Sequence, residues 1–360
     1  MKNLIRLEKR ADSSSTLNLL VPTCSVIMAL IVGAIFLYVV GHSPIKAYSA
    51  MFKGGFGSMY GIGETIVKSI PLMLCALGIS LAFRMQLWNI GAEGQLYMGA
   101  FGATWLALTF PETPAIILLP AMFLVGAVCG AFWGIIPAIP RAVLGVNEII
   151  TTLMLNYVAI LWVSYLVYGP WRDPDGFNFP LTAVFSSNAQ LPTFGDTRIH
   201  AGLLFALIIA IIIHIVMKHS RFGYEIRITG NSPAAARYAG MSTTKNILLV
   251  MMFSGAICGI AGMSEASGLM HRLHANFSPG YGYTGIIIAW LSKLHPAAIV
   301  IVAILFGGLQ AGGFTLQSSG VPAAIVLMLQ GLILFFVLGG EILTRYRIIF
   351  LGKSKTVEVQ

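Results

Sequence analysis

Amide and carboxylate side chains open one of the apolar segments of this chain. The stretch 87–100 places Asn89, Glu93 and Gln95 among glycine and apolar residues. A carboxylate near the centre of a membrane helix costs about 3 kcal/mol, whereas each Leu, Ile or Phe returns only about 0.3 to 0.6 kcal/mol. We therefore expect this segment to face protein or a water-filled path inside a helical bundle.

A polar stripe also marks the segment 147–168. Glu148, Thr152 and Asn156 recur at every fourth position, so they share one face of a predicted helix. Such a stripe either lines a solute path or is structural. In the structural alternative, Asn147 and Glu148 cap the helix start and Asn156 hydrogen-bonds a neighbouring helix.

The stretch that contains Asn89 has the same two interpretations. Asn89, Glu93 and Tyr97 have helical spacing and are expected to share a face. This face either borders a path or forms an interhelical hydrogen-bond cluster. Aromatic rings beside the two stripes can stack on a flat base. The candidates for a translocation path are Trp88, Asn89, Glu93, Gln95, Thr152, Asn156 and Tyr157.

The composition places these stripes in a membrane protein. Of the 360 residues, 57% are hydrophobic and 10% are charged, and the mean hydropathy is +0.84, as is typical of multi-pass membrane proteins. The net charge of +9 is scattered over short loops, which the positive-inside rule explains better than nucleic-acid binding does. The sequence contains neither a metal-ligand spacing nor a nucleophile beside a base, so we expect no catalysis, metal or bound cofactor.

The apolar segments predict an all-α polytopic membrane protein. They run approximately over residues 19–40, 66–83, 90–110, 115–138, 147–168, 201–217, 247–268, 285–313 and 321–339. The segment 285–313 is too long for one upright helix, so we expect a pair of short or half helices joined at Lys293 and His295. This gives about ten transmembrane segments and places both termini in the cytoplasm, with the basic loops.

This topology divides the chain into three regions. Residues 1–18 are expected to form a cytoplasmic N-terminal segment, residues 19–339 a transmembrane domain, and residues 340–360 a cytoplasmic tail. Within the domain, the loop at about 169–200 is expected outside the cell and the loop at about 218–246 in the cytoplasm.

Glycines spaced by four residues predict close helix contacts. Gly126, Gly130 and Gly134 lie on one face of one span, and Gly255 and Gly259 on one face of another. Because glycine has no side chain, such faces let two helix backbones approach each other.

The cytoplasmic loop carries the signals of a short helix. Asn231 or Ser232 is a suitable N-cap, Pro233 suits the first turn, and Gly240 suits the end. A helix of two turns is marginal alone, so we expect packing to hold it. Its small-residue face fits the groove of a partner protein, and a plain amphipathic connector is the alternative.

Several stretches together resemble a known transporter family. They are residues 89–95 (NIGAEGQ), 147–157 (NEIITTLMLNY), 230–240 (GNSPAAARYAG), and 282–285 (GYTG) with the His-Pro pair at 295–296. They are similar to motifs of the permease subunits of bacterial ABC importers, in the inner-membrane translocator group of ribose, galactose and branched-chain amino-acid permeases. The NIGAEGQ form resembles the nucleoside branch, whose partner is a binding lipoprotein of the basic-membrane-protein type.

The resemblance implies a permease subunit that forms the path for a nucleoside, with a purine nucleoside favoured. A sugar permease of the ribose or galactose type is the first alternative. A gradient-driven secondary transporter is the second, and Glu93 is its candidate ion or proton site. A scaffolding membrane component explains neither the polar stripes nor the short loop helix.

The resemblance also implies partners and a location. ATP is expected to be used by a separate cytosolic ABC ATPase, which would receive the loop helix at Gly230, Asn231, Ser232, Ala234, Ala235, Ala236, Ala239 and Gly240. The other expected partners are a second permease copy or a paralogue, an extracytoplasmic substrate-binding lipoprotein, and membrane lipid, with no nucleic acid. The expected location is the bacterial cytoplasmic (inner) membrane.

Overall fold

Helices dominate the computed structural model, which describes residues 5–9, 15–195, 197–318, 320–322 and 324–350. In chain order they are α1 (Ser15–Val39), α2 (Pro44–Phe56), α3 (Met59–Arg84), α4 (Ala92–Thr109), α5 (Ala115–Leu144), α6 (Glu148–Tyr168), α7 (Gly202–His219), α8 (Arg221–Asn231), α9 (Pro233–Tyr238), α10 (Thr243–Glu265), α11 (Tyr281–Leu291), α12 (Pro296–Ser318) and α13 (Ala324–Arg345). α10 continues into a π-helical turn, Ala266–Met270.

Two short strands join the ends of the described chain. β1 (Ile5–Lys9) pairs with β2 (Tyr346–Phe350) in an antiparallel ladder, with Ile5 opposite Phe350. The sequence analysis did not predict this pairing. The predicted terminal segments 1–18 and 340–360 fall partly outside the described residues, since residues 1–4, 10–14 and 351–360 are not among them.

The helix lengths confirm the all-α polytopic class. Within the described ranges, seven helical segments are long and apolar enough to cross a membrane: Leu20–Val39, Met59–Arg84, Ala115–Leu144, Glu148–Tyr168, Gly202–His219, Thr243–Met270 and Pro296–Gln317. Two shorter apolar helices are Tyr281–Leu291 and Ala324–Gly340. α4 carries Glu93 and Gln95 and is not among the seven, because its polar residues lower its hydropathy.

The predicted break in the segment 285–313 lies where we expected it, but the two pieces are unequal. α11 ends at Leu291 and α12 begins at Pro296, where a proline is favoured in the first helical turn. Between them Lys293 and Leu294 adopt positive φ angles of 48° and 60°. The prediction of a pair of short or half helices holds for α11, with 11 residues, and is wrong for α12, which is 23 residues long.

Two helices, α2 and α8, were not predicted from the sequence. Each contains charged residues that interrupt its apolar run. α2 contains Lys46 and Lys53, and α8 contains Arg221, Glu225 and Arg227. α3 also begins earlier than predicted, at Met59, because the Ser58 hydroxyl caps it by accepting a hydrogen bond from the Gly61 N–H at 3.0 Å.

The chain forms two compact units. One contains α1 and α13, where the Tyr48 hydroxyl donates to the Leu30 carbonyl at 2.7 Å. The other runs from Ser49 to Ser319 and contains the helices from α3 to α12. α3 is its most enclosed membrane span, since 89% of its apolar window is buried.

The predicted glycine stripes face each other at the contact between α5 and α10. A Cβ atom built on Gly130 would lie 2.7 Å from the Gly259 Cα atom, and one built on Gly134 would lie 2.6 Å from the Met251 carbonyl oxygen. No real Cβ atom occupies such a distance, so these positions require glycine. The prediction of close backbone contact is confirmed.

The long loop between α6 and α7 closes over one end of the larger unit. Its Leu181 forms a β-bridge with His274, and the Leu191 N–H donates to the Ser267 carbonyl at 3.1 Å. His200 is fully buried at the end of the loop, and burial together with His271 lowers the pKa of its imidazole to about 4. We call this end of the unit the loop end, and the end that holds α8 and α9 the α9 end.

Replacing Gly130 by Ala should lower the free energy of unfolding by about 1–3 kcal/mol, because the added methyl group must push α5 away from α10. Thermal unfolding of the detergent-solubilised protein measures the effect. Gly331→Ala is the matched control, since nothing lies within 4 Å of a Cβ atom built there. Equal unfolding midpoints for the two variants would contradict the close contact.

Candidate functional site

Asn89 lies at the centre of a buried hydrogen-bond cluster. Its Nδ2 donates to the Gln95 Oε1 at 3.0 Å and to the Ser254 Oγ at 2.9 Å, while its Oδ1 accepts from the Gly91 N–H and the Gln95 Nε2, both at 3.1 Å. Every hydrogen-bonding position of this amide is therefore used. α4 begins only at Ala92, so the prediction that Asn89 shares a helix face with Glu93 is wrong.

Glu93 joins the start of α4 to the start of α11. Its Oε2 accepts a hydrogen bond from the Gly282 N–H at 2.7 Å. A Cβ atom built on Gly282 would lie 2.6 Å from the Glu93 Cα atom, so the two backbones touch here. The carboxylate is only 2% exposed.

Asn156 ties α6 to the same place. Its Oδ1 accepts from the Gly94 N–H at 2.8 Å, and its Nδ2 donates to the Ile90 carbonyl at 2.9 Å and to the Tyr283 hydroxyl at 3.1 Å. We call the group formed by Asn89, Glu93, Gln95, Asn156, Ser254, Gly282 and Tyr283 the α4 network. It connects α4, α6, α10 and α11.

The start of α6 is capped as the structural alternative predicts. The Asn147 side chain accepts a hydrogen bond from the Ile149 N–H at 2.9 Å. Glu148 bonds other elements: its Oε2 lies 3.1 Å from the Arg141 Nε, and its Oε1 accepts from the Trp88 N–H at 3.1 Å. Thr152 donates to the Glu148 carbonyl within the helix, at 2.6 Å.

Five of the seven candidate path residues are buried among the helices of this chain, and two are on its surface. The buried ones, each at most 2% exposed, are Asn89, Glu93, Gln95, Thr152 and Asn156. Trp88 is 38% exposed and packs its ring against Trp290, and Tyr157 is 55% exposed. The contacts within one chain are those of an interhelical hydrogen-bond cluster, and a role in the solute path stays a prediction.

A polar cavity of about 470 Å³ lies at the loop end of the unit. Its wall is formed by residues of α2, α3 and α12 and by one residue of the long loop, among them Lys53, Ser58, Glu64, Lys68, Arg198 and Phe314. We call it the α3–α12 cavity. This cavity was not predicted from the sequence, although Glu64 and Lys68 are charged residues one helical turn apart. That signal was lost because the apolar segment was taken to begin at residue 66.

Charged groups of opposite sign are paired around the α3–α12 cavity. The Arg198 Nη1 donates to the Glu64 Oε1 at 3.0 Å. The Lys68 Nζ lies 4.0 Å from the Oε1 of the fully buried Glu265 and donates to the Tyr281 hydroxyl at 3.2 Å. It also lies 5.7 Å from the centre of the Phe314 ring.

The short helix predicted in the loop at about 218–246 is present as α9. Ser232 is its N-cap and accepts from the Ala235 N–H at 3.3 Å, Pro233 is its first residue, and Gly240 follows it with a φ angle of 76°. Gly230 and Asn231 belong to the end of α8 instead. Of the predicted docking residues, Gly230 and Ala236 are buried, Ser232 is half-buried, and the exposed ones are Asn231, Ala234, Ala235, Ala239 and Gly240.

Replacing Asn156 by Leu should destabilise the protein, because it leaves the Gly94 N–H and the Ile90 carbonyl buried without this partner. Each buried group left unpaired costs about 1–3 kcal/mol. The midpoint of thermal unfolding in detergent measures the loss. Met154→Leu, at a half-exposed position of the same helix, is the control; if both variants unfolded at the same temperature, the hydrogen bonds of Asn156 would have no structural weight.

Comparison with known proteins identifies the family. The family model for the permease component of the branched-chain amino acid transport system matches residues 61–338. The glucose ABC transporter permease protein TsgB13 of Haloferax volcanii is 38% identical over 356 residues, which cover 96% of this chain and 93% of the relative.

Two further relatives come from other organisms. The guanosine ABC transporter permease protein NupP of Bacillus subtilis is 36% identical over 324 residues, covering 89% of this chain and 93% of the relative. The nucleoside ABC transporter permease protein NupB of Lactococcus lactis subsp. cremoris is 32% identical over 334 residues, covering 90% and 92%. No solved structure matches the chain significantly. The chain thus belongs to the permease family of the branched-chain amino acid transport system.

Proposed function

We propose that this chain is the membrane-spanning permease subunit of an ABC importer and forms the path for a nucleoside, with a purine nucleoside favoured. The observation that carries this proposal is the similarity to permeases named for nucleosides and guanosine, which extends over about nine-tenths of the chain. The relative named for glucose supports a sugar as the second candidate solute.

The proposed topology has ten membrane segments. The seven long spans account for seven of them, and α4, α11 and α13 supply the rest. Both termini and the loop at about 218–246 are assigned to the cytoplasm, and the loop at about 169–200 to the outside of an inner membrane. The cluster of basic residues in and around α8 supports this orientation, since cytoplasmic loops carry an excess of Lys and Arg.

A separate cytosolic ABC ATPase is the proposed energy source and is assigned to α9. The exposed residues of this helix support the assignment, because Ala234, Ala235 and the fully exposed Tyr238 present a surface that has no partner within the described chain. The other proposed partners are a second permease copy or paralogue and an extracytoplasmic substrate-binding lipoprotein. ATP is used by the ATPase, and this chain itself is assigned no cofactor.

The contacts next to α9 provide a route from the ATPase to the membrane helices. α9 follows α8, whose Gly230 would place a Cβ atom 3.0 Å from the Met85 Cα atom. The adjacent Arg84 donates to the Leu294 carbonyl, just after the end of α11. We assign to these contacts the transmission of a rigid-body displacement of α9 to α3, which lines the α3–α12 cavity, and to α11, which belongs to the α4 network.

The secondary-transporter alternative has weaker support. It requires a carboxylate that exchanges an ion or proton with water near the middle of the membrane. Glu93 was the candidate for this role, but its Oε2 is held by the Gly282 N–H and the side chain is buried.

Reconstitution tests the proposed function. Proteoliposomes that contain the chain with its ATPase, second permease and binding protein should take up a labelled purine nucleoside only when ATP is present on the ATPase side. Omission of ATP is the control. Uptake that does not depend on ATP would contradict the ABC mechanism, and ATP-driven uptake of glucose without nucleoside uptake would favour the sugar alternative.

The substitution Ala235→Glu should abolish uptake and prevent copurification of the ATPase, because it places a charge in the packed interface proposed at α9. The level of the variant in the membrane should equal that of the unaltered protein, since Ala235 is exposed. Ala183→Glu places the same charge on an exposed position of the long loop and should have no effect. An intact complex containing the Ala235→Glu variant would rule out docking at α9.

A further inference from the structure

Charged side chains inside a membrane span are costly and mark functional sites by default. Lys68 lies in the third turn of α3, which is a long apolar span, and Glu64 lies one turn earlier. Both border the α3–α12 cavity, and neither belongs to the α4 network. The packing of α3 alone therefore does not explain why these two charged residues lie in an apolar span.

We propose that the α3–α12 cavity receives the solute and binds it as an uncharged molecule that carries an aromatic ring and hydroxyl groups. This inference rests on the proposed function and identifies where the nucleoside contacts this chain. The cavity volume of about 470 Å³ lies within the range of about 300–1,000 Å³ that is usual for small-molecule sites.

The pairing of charges selects for an uncharged solute. Glu64 is neutralised by Arg198, and Lys68 by the buried Glu265, so these two pairs offer donors and acceptors without net charge. Lys53, at the exposed rim of the wall, adds one positive charge outside the two pairs. A phosphate group would compete with Glu64 and Glu265 for their cations and leave a carboxylate unpaired, which is unfavourable where water is scarce. Hydroxyl groups and ring nitrogens accept from the same cations without separating the pairs.

Phe314 supplies the surface for the aromatic part of the solute. Phe314 lies in the cavity wall on α12, and its side chain is 58% exposed. Half of the apolar window of this helix is buried. Stacking of a base on an aromatic side chain needs only an accessible ring face. Lys68, whose Nζ lies over the ring at 5.7 Å from its centre, brings a hydrogen-bond donor to one face of Phe314 and leaves stacking to the other face.

Lys68 connects the cavity to α11. Its ammonium group is shared between Glu265 and the hydroxyl of Tyr281, the first residue of α11. The Tyr281 hydroxyl in turn donates to the Glu265 Oε1 at 3.1 Å, and the next residue, Gly282, is held by Glu93. The Glu265 Oε2 has no hydrogen-bond partner among the residues that the structure describes, so this group has capacity to rearrange when a solute attracts Lys68.

The substitution Phe314→Ala should lower the initial rate of nucleoside uptake by about tenfold in the complete reconstituted importer, because it removes the stacking surface. Phe314→Tyr should keep the rate near that of the unaltered importer, since the ring remains. Leu305→Ala is the matched control: Leu305 lies on the same helix, is 56% exposed and does not line the cavity. Copurification of the ATPase shows that each complex is assembled.

A second variant tests the charged wall. Lys68→Met alone leaves Glu265 buried without its cation and is expected to misfold. The double variant Lys68→Met with Glu265→Gln removes both charges, so it should assemble and lose uptake while the ATPase activity of the complex without binding protein persists. Uptake by this double variant at the unaltered rate would overturn the assignment of Lys68 to the solute site.

The outcomes separate this inference from the proposed function. If the unaltered importer takes up nucleoside and Phe314→Ala matches Leu305→Ala, the cavity assignment is wrong and the proposed function stands. If the unaltered importer takes up glucose and no nucleoside, the proposed solute is wrong, and with it the role of Phe314 as a stacking surface for a base. Loss of nucleoside uptake in Phe314→Ala, with recovery in Phe314→Tyr, supports both.

Discussion

Hydrocarbon offers no partner to a buried amide or carboxylate, so each such group must be paired inside the protein. The α4 network is one place where this constraint acts. The side-chain amides of Asn89 and Gln95 are hydrogen-bonded to each other. The amide of Asn156 is hydrogen-bonded to the Gly94 N–H and the Ile90 carbonyl. These bonds join α4 to α6, α10 and α11, so they fix the positions of the four helices relative to one another. The glycine contact between α5 and α10 lets the same bundle close around α4.

α11 is held at both ends by polar contacts. Glu93 accepts from the Gly282 N–H near its start, and Arg84 donates to the Leu294 carbonyl just beyond its end. α11 has 11 residues, fewer than the roughly 20 of an ordinary spanning helix, and most of them are buried, so lipid contact does little to fix its position. Its place is set by these bonds and by the packing of Tyr281. α11 therefore connects the start of α4 with the end of α3.

The sequence predicts local features better than long-range pairings. The caps of α9 at Ser232 and Gly240 are recognisable because they depend on neighbouring residues alone. Helical spacing also places Glu148, Thr152 and Asn156 on one buried face, but spacing gives a face and not a partner. The bonds of Asn156 to Gly94 and Tyr283 join positions 62 and 127 residues away, which no local pattern encodes. The strand pair β1 and β2 was missed for the same reason.

The α3–α12 cavity shows why hydropathy conceals functional residues in membrane spans. A window that seeks apolar length excludes Glu64 and tolerates Lys68 as an exception, although the two are tied to Arg198 and Glu265 from distant parts of the chain. Pairing is what makes these charges tolerable inside a bundle, and the same pairing removes their attraction for a charged solute. Paired charged side chains in a membrane span can therefore hydrogen-bond a polar solute without binding an ion. That compromise suits hydroxyl-rich, uncharged solutes, whether the molecule carries a base or is a sugar alone.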